Sequence, residues 1–304
     1  MKTPVKVATY TASLVVVFAA ALWLGGRFDL GAEPADTHGA DQDHDSDQTD
    51  DHGGHDQTTE PGGLSVAADG YRLVTDSDML TTGKKTEFGF QIIGPDGEPV
   101  TSFTPQHEKE IHLIVVRRDL TDYQHLHPET DGSGTWHAPI TFAEAGQYRF
   151  FADFLPEGAD SGLTLGIDVA VAGDYRPLAL AEPNTTATVD GYDVTLDTAP
   201  AAGEATTLTL TVDKDGEPVT DLEPYLGAYG HLVSLRDGDL AYLHVHPDES
   251  ETAGPEVSFS TTFPTPGAYR LFFDFQHGDT VRTAEFTVEV TDGSDTDDGH
   301  GDGH

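Results

Sequence analysis

The sequence contains no cysteine, and its only methionines are Met1 and Met79. The absence of cysteine excludes disulfides, thiolate-ligated metal sites and a lipid anchor attached to cysteine. It also excludes a blue-copper electron-transfer centre, which requires a cysteine ligand. Because only these two methionines could supply thioether ligands, coordination of soft Cu(I) is disfavoured.

Basic residues are also scarce. Lysine and arginine total 15 against 54 aspartates and glutamates, which gives a formal net charge of −39. Such a chain is not expected to bind nucleic acid, because counterion release from phosphates needs lysine and arginine. The charge is consistent either with a well-solvated surface, which is the more ordinary interpretation, or with attraction of cations.

Catalytic motifs are missing as well. The chain has no G-x-S-x-G elbow, no phosphate-binding glycine loop and no helical H-E-x-x-H segment. We therefore expect a protein that is not an enzyme. A metal-dependent hydrolase is the least favoured alternative, because three histidines can activate water but no general base or substrate pocket is visible in the sequence.

The N-terminus carries one long uncharged segment, VATYTASLVVVFAAALWLGG at 7–26. Its length suits a bilayer span, and Lys2 and Lys6 before it place the N-terminus in the cytoplasm. We predict an uncleaved transmembrane anchor at 1–28, in preference to a cleaved signal peptide. The protein is then a single-pass cell-membrane protein whose C-terminal domains are extracytoplasmic.

An internal repeat follows the anchor. GPDGEPV at 94–100 matches DKDGEPV at 213–219, and the similarity continues from 111–129 to 230–248 and from 145–154 to 266–275. The partners stay near 120 residues apart, which indicates a duplicated domain. The sequence predicts repeat 1 at 64–172, a linker at 173–186 and repeat 2 at 187–290.

Each repeat has the pattern of an all-β domain. Short runs rich in valine, isoleucine, leucine, tyrosine, phenylalanine and threonine alternate with Asp-Gly and Pro-Gly turns, and no helical period persists. The predicted strands are 71–75, 86–93, 111–118, 122–127, 135–142, 147–154 and 163–171, then 192–197, 206–212, 231–236, 239–246, 256–263, 268–275 and 281–290. About seven short strands in about 100 residues predict an antiparallel β-sandwich in each repeat.

Acidic, histidine-containing segments flank the repeats, at 29–63 and 291–304. Their low content of apolar residues predicts disorder. The histidines in both segments indicate either loose metal capture or simply a solvated tether.

Three histidines recur in each repeat, and they are the strongest candidate site. The candidate metal ligands are His112, His125, His127, His231, His244 and His246. Each His-x-His pair points to one face of a strand, because side chains alternate. A two-residue turn at Asp237-Gly238 pairs Leu235 with Leu240 and sets His231 opposite His244, so that three imidazoles meet on one hairpin.

Three neutral imidazoles are suitable ligands for a divalent transition metal, Cu or Zn. The alternative is that these histidines form hydrogen bonds at a polar strand end and recur only because the domain is duplicated. Further candidates are weaker: His107, Glu108, His137 and His277 lack matching residues in the other repeat. Asp153 and Asp274 recur, and either orient a ligating imidazole or satisfy strand-end hydrogen bonds.

The segments HEKEIHLIVVRRDLTDYQHLHP and YLGAYGHLVSLRDGDLAYLHVHP, with AYRLFFDFQHGDTVRTAEFTV, resemble a family of membrane-anchored or secreted actinobacterial envelope proteins. Members of that family are described as hypothetical or heavy-metal-binding proteins, and the single repeat is similar to YtkA-like domains. The resemblance covers nearly all of 64–290. It implies an immunoglobulin- or cupredoxin-like sandwich and a role with copper or other heavy metals. Its His-x-His-Pro motif falls on His125, His127 and Pro128, and on His244, His246 and Pro247.

Two functions follow from the sequence. The first is an extracytoplasmic, membrane-anchored protein that binds a divalent transition metal, copper favoured, at one three-histidine hairpin site per repeat. The alternative is a surface module for protein–protein interaction or adhesion, with an envelope partner and incidental histidines.

Overall fold

The computed structural model describes residues 61–77, 79–243, 245–248 and 252–293, with His246 described by its backbone alone. The predicted anchor and both predicted acidic segments, apart from 61–63 and 291–293, lie outside the described residues. No helix within the described ranges is long and apolar enough to span a bilayer.

Twenty strands form the described part of the chain, and the prediction of an all-β fold is confirmed. They are β1 (Ala67–Ala68), β2 (Tyr71–Val74), β3 (Met79–Thr81), β4 (Thr86–Ile93), β5 (Ile111–Arg117), β6 (Gln124–Leu126), β7 (Glu129–Thr130), β8 (Thr135–Ile140), β9 (Gly146–Phe154), β10 (Leu163–Ala172), β11 (Thr186–Val189), β12 (Tyr192–Asp197), β13 (Ala205–Lys214), β14 (Glu217–Pro218), β15 (His231–Arg236), β16 (Tyr242–Leu243), β17 (His246–Pro247), β18 (Glu256–Thr262), β19 (Gly267–Gln276) and β20 (Val281–Val290).

The first ten strands form one sandwich, domain 1. One sheet has the order β1-β2-β4-β8-β7, and the other has the order β3-β10-β9-β5-β6. All pairs are antiparallel except β3 with β10. Alternate residues of the long strands enter a shared core that includes Phe88, Leu113 and Phe150, as the two-residue period of a strand requires.

The last ten strands form the second sandwich, domain 2. Its sheets have the orders β11-β12-β13-β18-β17, with β14 added beside β13, and β16-β15-β19-β20. The core includes Leu210, Phe259 and Phe273. The two sandwiches lie within one compact unit of the chain. Each repeat forms its own pair of sheets, which confirms the tandem sandwich architecture expected from the repeat.

The outer faces of two sheets pack against each other between the domains. A separate apolar cluster joins Ile114, Val116, Leu120 and Phe151 of domain 1 to Val233, Leu235, Leu240 and Phe272 of domain 2. Tyr123 stacks on Phe272 with ring centroids 4.0 Å apart and planes 4° from parallel. Every residue of β5 is consequently buried, because one face of the strand covers its own core and the other covers the neighbouring domain.

The predicted hairpin register in domain 2 is wrong by two residues. Leu235 pairs with Tyr242 rather than with Leu240. Arg236 is joined by backbone hydrogen bonds to Leu240 and Ala241, and Leu240 adopts a φ of 64°, so the loop is longer than a two-residue turn. The predicted position of His231 opposite His244 does not follow from this register. Because the shift is an even number, each side chain keeps its face of the sheet.

Candidate metal centre between the domains

The triad of His112, His125 and His127 lies where the chain of domain 1 passes from one sheet to the other. His112 is on β5, and His125 is on β6, opposite Ile114. β6 then ends at Leu126, and the next strand, β7, pairs with β8 of the opposite sheet. His127 therefore lies in the crossing segment. Its ring still reaches the other two, since one ligand atom from each residue lies within 4.8 Å of the others.

The hydrogen bonds of His112 and His125 identify which nitrogens carry protons. His112 Nε2 is 2.9 Å from the Gln106 carbonyl oxygen, so Nε2 donates and Nδ1 keeps its lone pair. His125 Nδ1 donates to the Asp274 carboxylate at 2.8 Å, which leaves a lone pair on Nε2. The unprotonated His112 Nδ1 and His125 Nε2 then face each other across 3.1 Å. Two lone pairs repel at this distance unless a cation, either a proton or a metal ion, lies between them.

His127 completes the set. Its Nδ1 is 3.4 Å from the Tyr225 hydroxyl of domain 2. Its Nε2 is buried and has no hydrogen-bond partner among the described residues. A buried polar atom without a partner is costly in a folded protein. This nitrogen is therefore available as a third ligand.

The arrangement fits a divalent transition metal. Nitrogen ligands at roughly 2.0–2.1 Å from a tetrahedral Zn²⁺ lie about 3.3 Å apart, close to the 3.1 Å between His112 and His125. Histidines that ligate a metal usually donate their other ring N–H to a carbonyl or carboxylate, which fixes the ring orientation. Gln106 and Asp274 supply those acceptors here.

Two of these imidazoles, His112 and His127, are held in the neutral form that metal binding requires. Burial, together with the neighbouring His125 ring, lowers the pKa of His112 from 6.5 to about 4. Burial is also the main reason that the pKa of His127 falls to about 2. At neutral pH, protons therefore do not compete with a metal ion for these two side chains.

Domain 2 forms the opposite wall of the site. The His231 ring centroid lies 6.1 Å from that of His125 and 5.2 Å from that of His107. His231 Nε2 donates to the Tyr225 carbonyl oxygen at 2.7 Å, which repeats the bond from His112 to Gln106. Burial lowers the pKa of His231 to about 4.

The turns that carry these two carbonyls differ in sequence but not in shape. Gln106 and Lys109 exchange backbone hydrogen bonds around His107 and Glu108, as Tyr225 and Ala228 do around Leu226 and Gly227. Both central residues of each turn have positive φ, with 46° at His107 and 65° at Glu108. Such angles are unfavourable for residues other than glycine, so the His107 turn is strained where it meets domain 2.

A small cavity of about 40 Å³ lies beside the triad at this domain boundary. Its lining includes Gln106, His107, His112, His125, Asp153 and His231. Domain 2 contributes Leu232, Val233, Tyr242, Val245 and Pro247 to the lining beside His231, so both domains form the cavity wall. The cavity has room for water-sized molecules near the ligating nitrogens.

The structure places only some of the six predicted ligands near one another. The structure brings His112, His125 and His127 together and places His231 across the domain boundary from them. His244 and the side chain of His246 lie outside the described residues, so a second triad in domain 2 stays a prediction. His277 bonds to Tyr192 and Asp221 elsewhere in domain 2.

Of the two roles expected for Asp274, the structure shows hydrogen bonding: its carboxylate accepts from His125 Nδ1 at 2.8 Å and from Thr283 Oγ1 at 2.5 Å. That it serves a histidine of the other domain was not foreseen. Tyr225 was missed altogether. Its position in YLGAYGH, aligned with Gln106 in PQHEKEIH, is the signal that marks it as a turn residue before the strand.

Comparison with protein families shows that the chain belongs to the family of a domain of unknown function, DUF8832, which matches residues 65–173 and again 187–292. No curated protein sequence matches the chain.

Several solved structures show a weak likeness. A DUF4426 family protein from Pseudomonas aeruginosa PAO1 is 12% identical, with 36% of this chain and 97% of that chain covered and a TM-score of 0.27. The Escherichia coli adhesin FdeC is 14% identical, with 75% and 66% covered and a TM-score of 0.24. The D0-D1 domain of intimin is also 14% identical, with 72% and 97% covered and a TM-score of 0.23. These scores assign no function.

Proposed function

We propose that this protein binds a divalent transition metal ion through His112, His125 and His127. The observation that carries the proposal is the 3.1 Å separation of His112 Nδ1 and His125 Nε2, the ring nitrogens opposite those that donate to Gln106 and Asp274. A metal ion converts the repulsion between their lone pairs into two coordinate bonds. The buried Nε2 of His127 supplies a third.

The ligand set favours Cu²⁺ and Zn²⁺ over Mg²⁺ and Ca²⁺, because imidazole suits the former and the latter prefer oxygen. Between the two, Cu²⁺ binds nitrogen ligands more tightly in general. A copper role also agrees with the resemblance to heavy-metal-binding envelope proteins. We propose an extracytoplasmic, membrane-anchored protein whose acidic surface attracts cations toward this site.

The test is to titrate the full chain, in detergent, with Zn²⁺ and with Cu²⁺ in an isothermal calorimeter. Metal analysis then counts the ions that stay bound. A variant with His112, His125 and His127 all changed to alanine should lose one tight equivalent relative to the wild type. His137→Ala is the matched control, because His137 lies on β8 of the same domain and outside the triad. Apart from His137, which the control lacks, the histidines outside the triad are the same in all three proteins. Equal stoichiometry and affinity in all three would rule out the site.

We keep a surface-interaction module as the second candidate function. Adhesins recur among the solved structures with some likeness to this chain, and tandem sandwiches can present loops to a partner. In this function the triad is incidental. A pull-down of membrane proteins with wild-type and triad-variant chains separates the two: capture of the same specific partner by both proteins, without metal, would favour the interaction module.

A further inference from the structure

We propose that the triad is completed by domain 2, so that metal binding at the triad and docking of the two sandwiches stabilise each other. The inference rests on the proposed metal binding and concerns how the site is assembled. His112 is oriented within domain 1, by the carbonyl of Gln106. His125 and His127 are oriented from the other domain, by Asp274 and Tyr225.

Asp274 is held firmly in place. It lies near the end of the long β19–β20 pairing, opposite Thr283, and its side chain is only 3% exposed. Thr283 occupies one carboxylate oxygen at 2.5 Å. The other oxygen accepts from His125 at 2.8 Å, with the Tyr123 hydroxyl at 3.5 Å. A carboxylate fixed in this way sets the direction of the His125 ring and strengthens the imidazole as a ligand.

The Asp274 carboxylate also carries a negative charge into the domain boundary. Burying a charge is costly unless an opposite charge compensates it. A metal ion on His125 places positive charge one imidazole away from the carboxylate. The ion therefore compensates Asp274 through the ring that connects them.

Tyr225 is fixed by a different route. His231 donates to the Tyr225 carbonyl, and Ala228 exchanges backbone hydrogen bonds with the same residue. The phenol ring then lies edge-on to His127, with centroids 5.9 Å apart. His231 thus acts on the triad through Tyr225.

The apolar cluster between the domains supplies the framework for these contacts. It joins β5 and β9 to β15 and β19, and these strands carry His112, His231 and Asp274. Thermodynamic coupling is reciprocal. If docking of domain 2 raises metal affinity by some factor, then bound metal favours the docked arrangement by the same factor.

The test compares metal affinity in full-chain variants by competition with a chelator of known affinity. Asp274→Asn should weaken Zn²⁺ binding at the triad by about 10- to 100-fold, the usual effect of removing a group that orients a ligand. Tyr225→Phe, which removes one hydroxyl, should weaken binding by a smaller factor. The control is Asp122→Asn, because Asp122 accepts hydrogen bonds from Tyr148 and from the Ala143 backbone, both within domain 1 and outside the triad.

Cu²⁺ paramagnetic resonance distinguishes positioning from general loosening of the fold. In Asp274→Asn the spectrum of the bound ion should change, because His125 becomes a weaker donor, whereas Asp122→Asn should retain the wild-type spectrum. A third variant, Leu235→Ala, weakens the apolar boundary without altering a polar group of the site. It should lower metal affinity about fivefold or more.

The outcomes separate this inference from the proposed function. If the wild type binds no metal at the triad, the proposed function fails. If the wild type binds but Asp274→Asn, Tyr225→Phe and Leu235→Ala all retain its affinity, the triad is complete within domain 1 and the coupling is overturned. Loss of affinity in Asp122→Asn equal to that in Asp274→Asn would also overturn it.

Discussion

The stability of the metal-free protein should depend on pH through the buried histidines. The pKa values of His112, His127 and His231 are about 4, 2 and 4 in the folded protein, against about 6.5 in an unfolded chain. Between about pH 6.5 and 4 the unfolded state binds more protons, so acidification through this window favours unfolding. Above about pH 6.5 these three rings are neutral in both the folded and the unfolded protein, so they no longer make stability depend on pH.

The magnitude follows from the same values. Lowering the pH from 7 to 5 costs about 2 kcal/mol for each imidazole that is protonated only when unfolded. Three independent groups would give about 6 kcal/mol, and we expect about half of that because the rings are neighbours and His127 is only partly buried. A loss of about 3 kcal/mol is a large share of the stability of a typical domain.

The assay is urea unfolding at pH 7 and pH 5 with a chelator present. The wild type is compared with a variant in which His112, His127 and His231 are changed to asparagine, and with His137→Asn as the control. Carboxylates contribute equally to all three proteins, so the difference between proteins isolates the buried rings. The variant should lose about 3 kcal/mol less than the wild type on acidification. Equal losses in wild type and variant would refute the reasoning.

Three further predictions concern the packing around the site. Gly63→Ala should lower the unfolding temperature by far more than Gly83→Ala, although both glycines have a positive φ. A β-carbon at Gly63 would lie 2.3 Å from Phe151 Cδ1, whereas a β-carbon at Gly83 would have none of the described atoms within 4 Å. Phe272→Ala should destabilise the protein by about 3–5 kcal/mol in denaturant unfolding, since it removes the ring stacked between the domains; a cost below about 1 kcal/mol would contradict that packing. Glu108→Gly should stabilise the protein by about 1 kcal/mol in the same assay by relieving its positive φ, and any destabilisation would show that the Glu108 side chain matters more than the strain.

Much of the fold was predictable because the relevant signals are local. Alternation of apolar residues and Asp-Gly turns located most of the long strands, and the internal repeat gave the two sandwiches. The triad was also predictable from the sequence, even though the hairpin register was wrong. A shift of two residues leaves each side chain on the same face, so His112 and His125 still converge.

The contact between the two domains was harder to predict than the fold of either domain. One signal was present, since the continuous apolar run LIVV at 113–116 indicates a strand covered on both faces. The partner of the second face was not readable. Asp274 is 149 residues from His125, and no local pattern connects a carboxylate on one repeat with an imidazole on the other.

The most direct test of the metal site is a crystal structure of the Zn²⁺-loaded protein with anomalous diffraction measured at the zinc edge. The account predicts an anomalous peak within roughly 2.0–2.1 Å of His112 Nδ1, His125 Nε2 and a ring nitrogen of His127. The Asp274 carboxylate should remain hydrogen-bonded to His125. Zinc bound only elsewhere, with the three rings retaining their metal-free positions, would contradict the assignment of the triad as a metal centre.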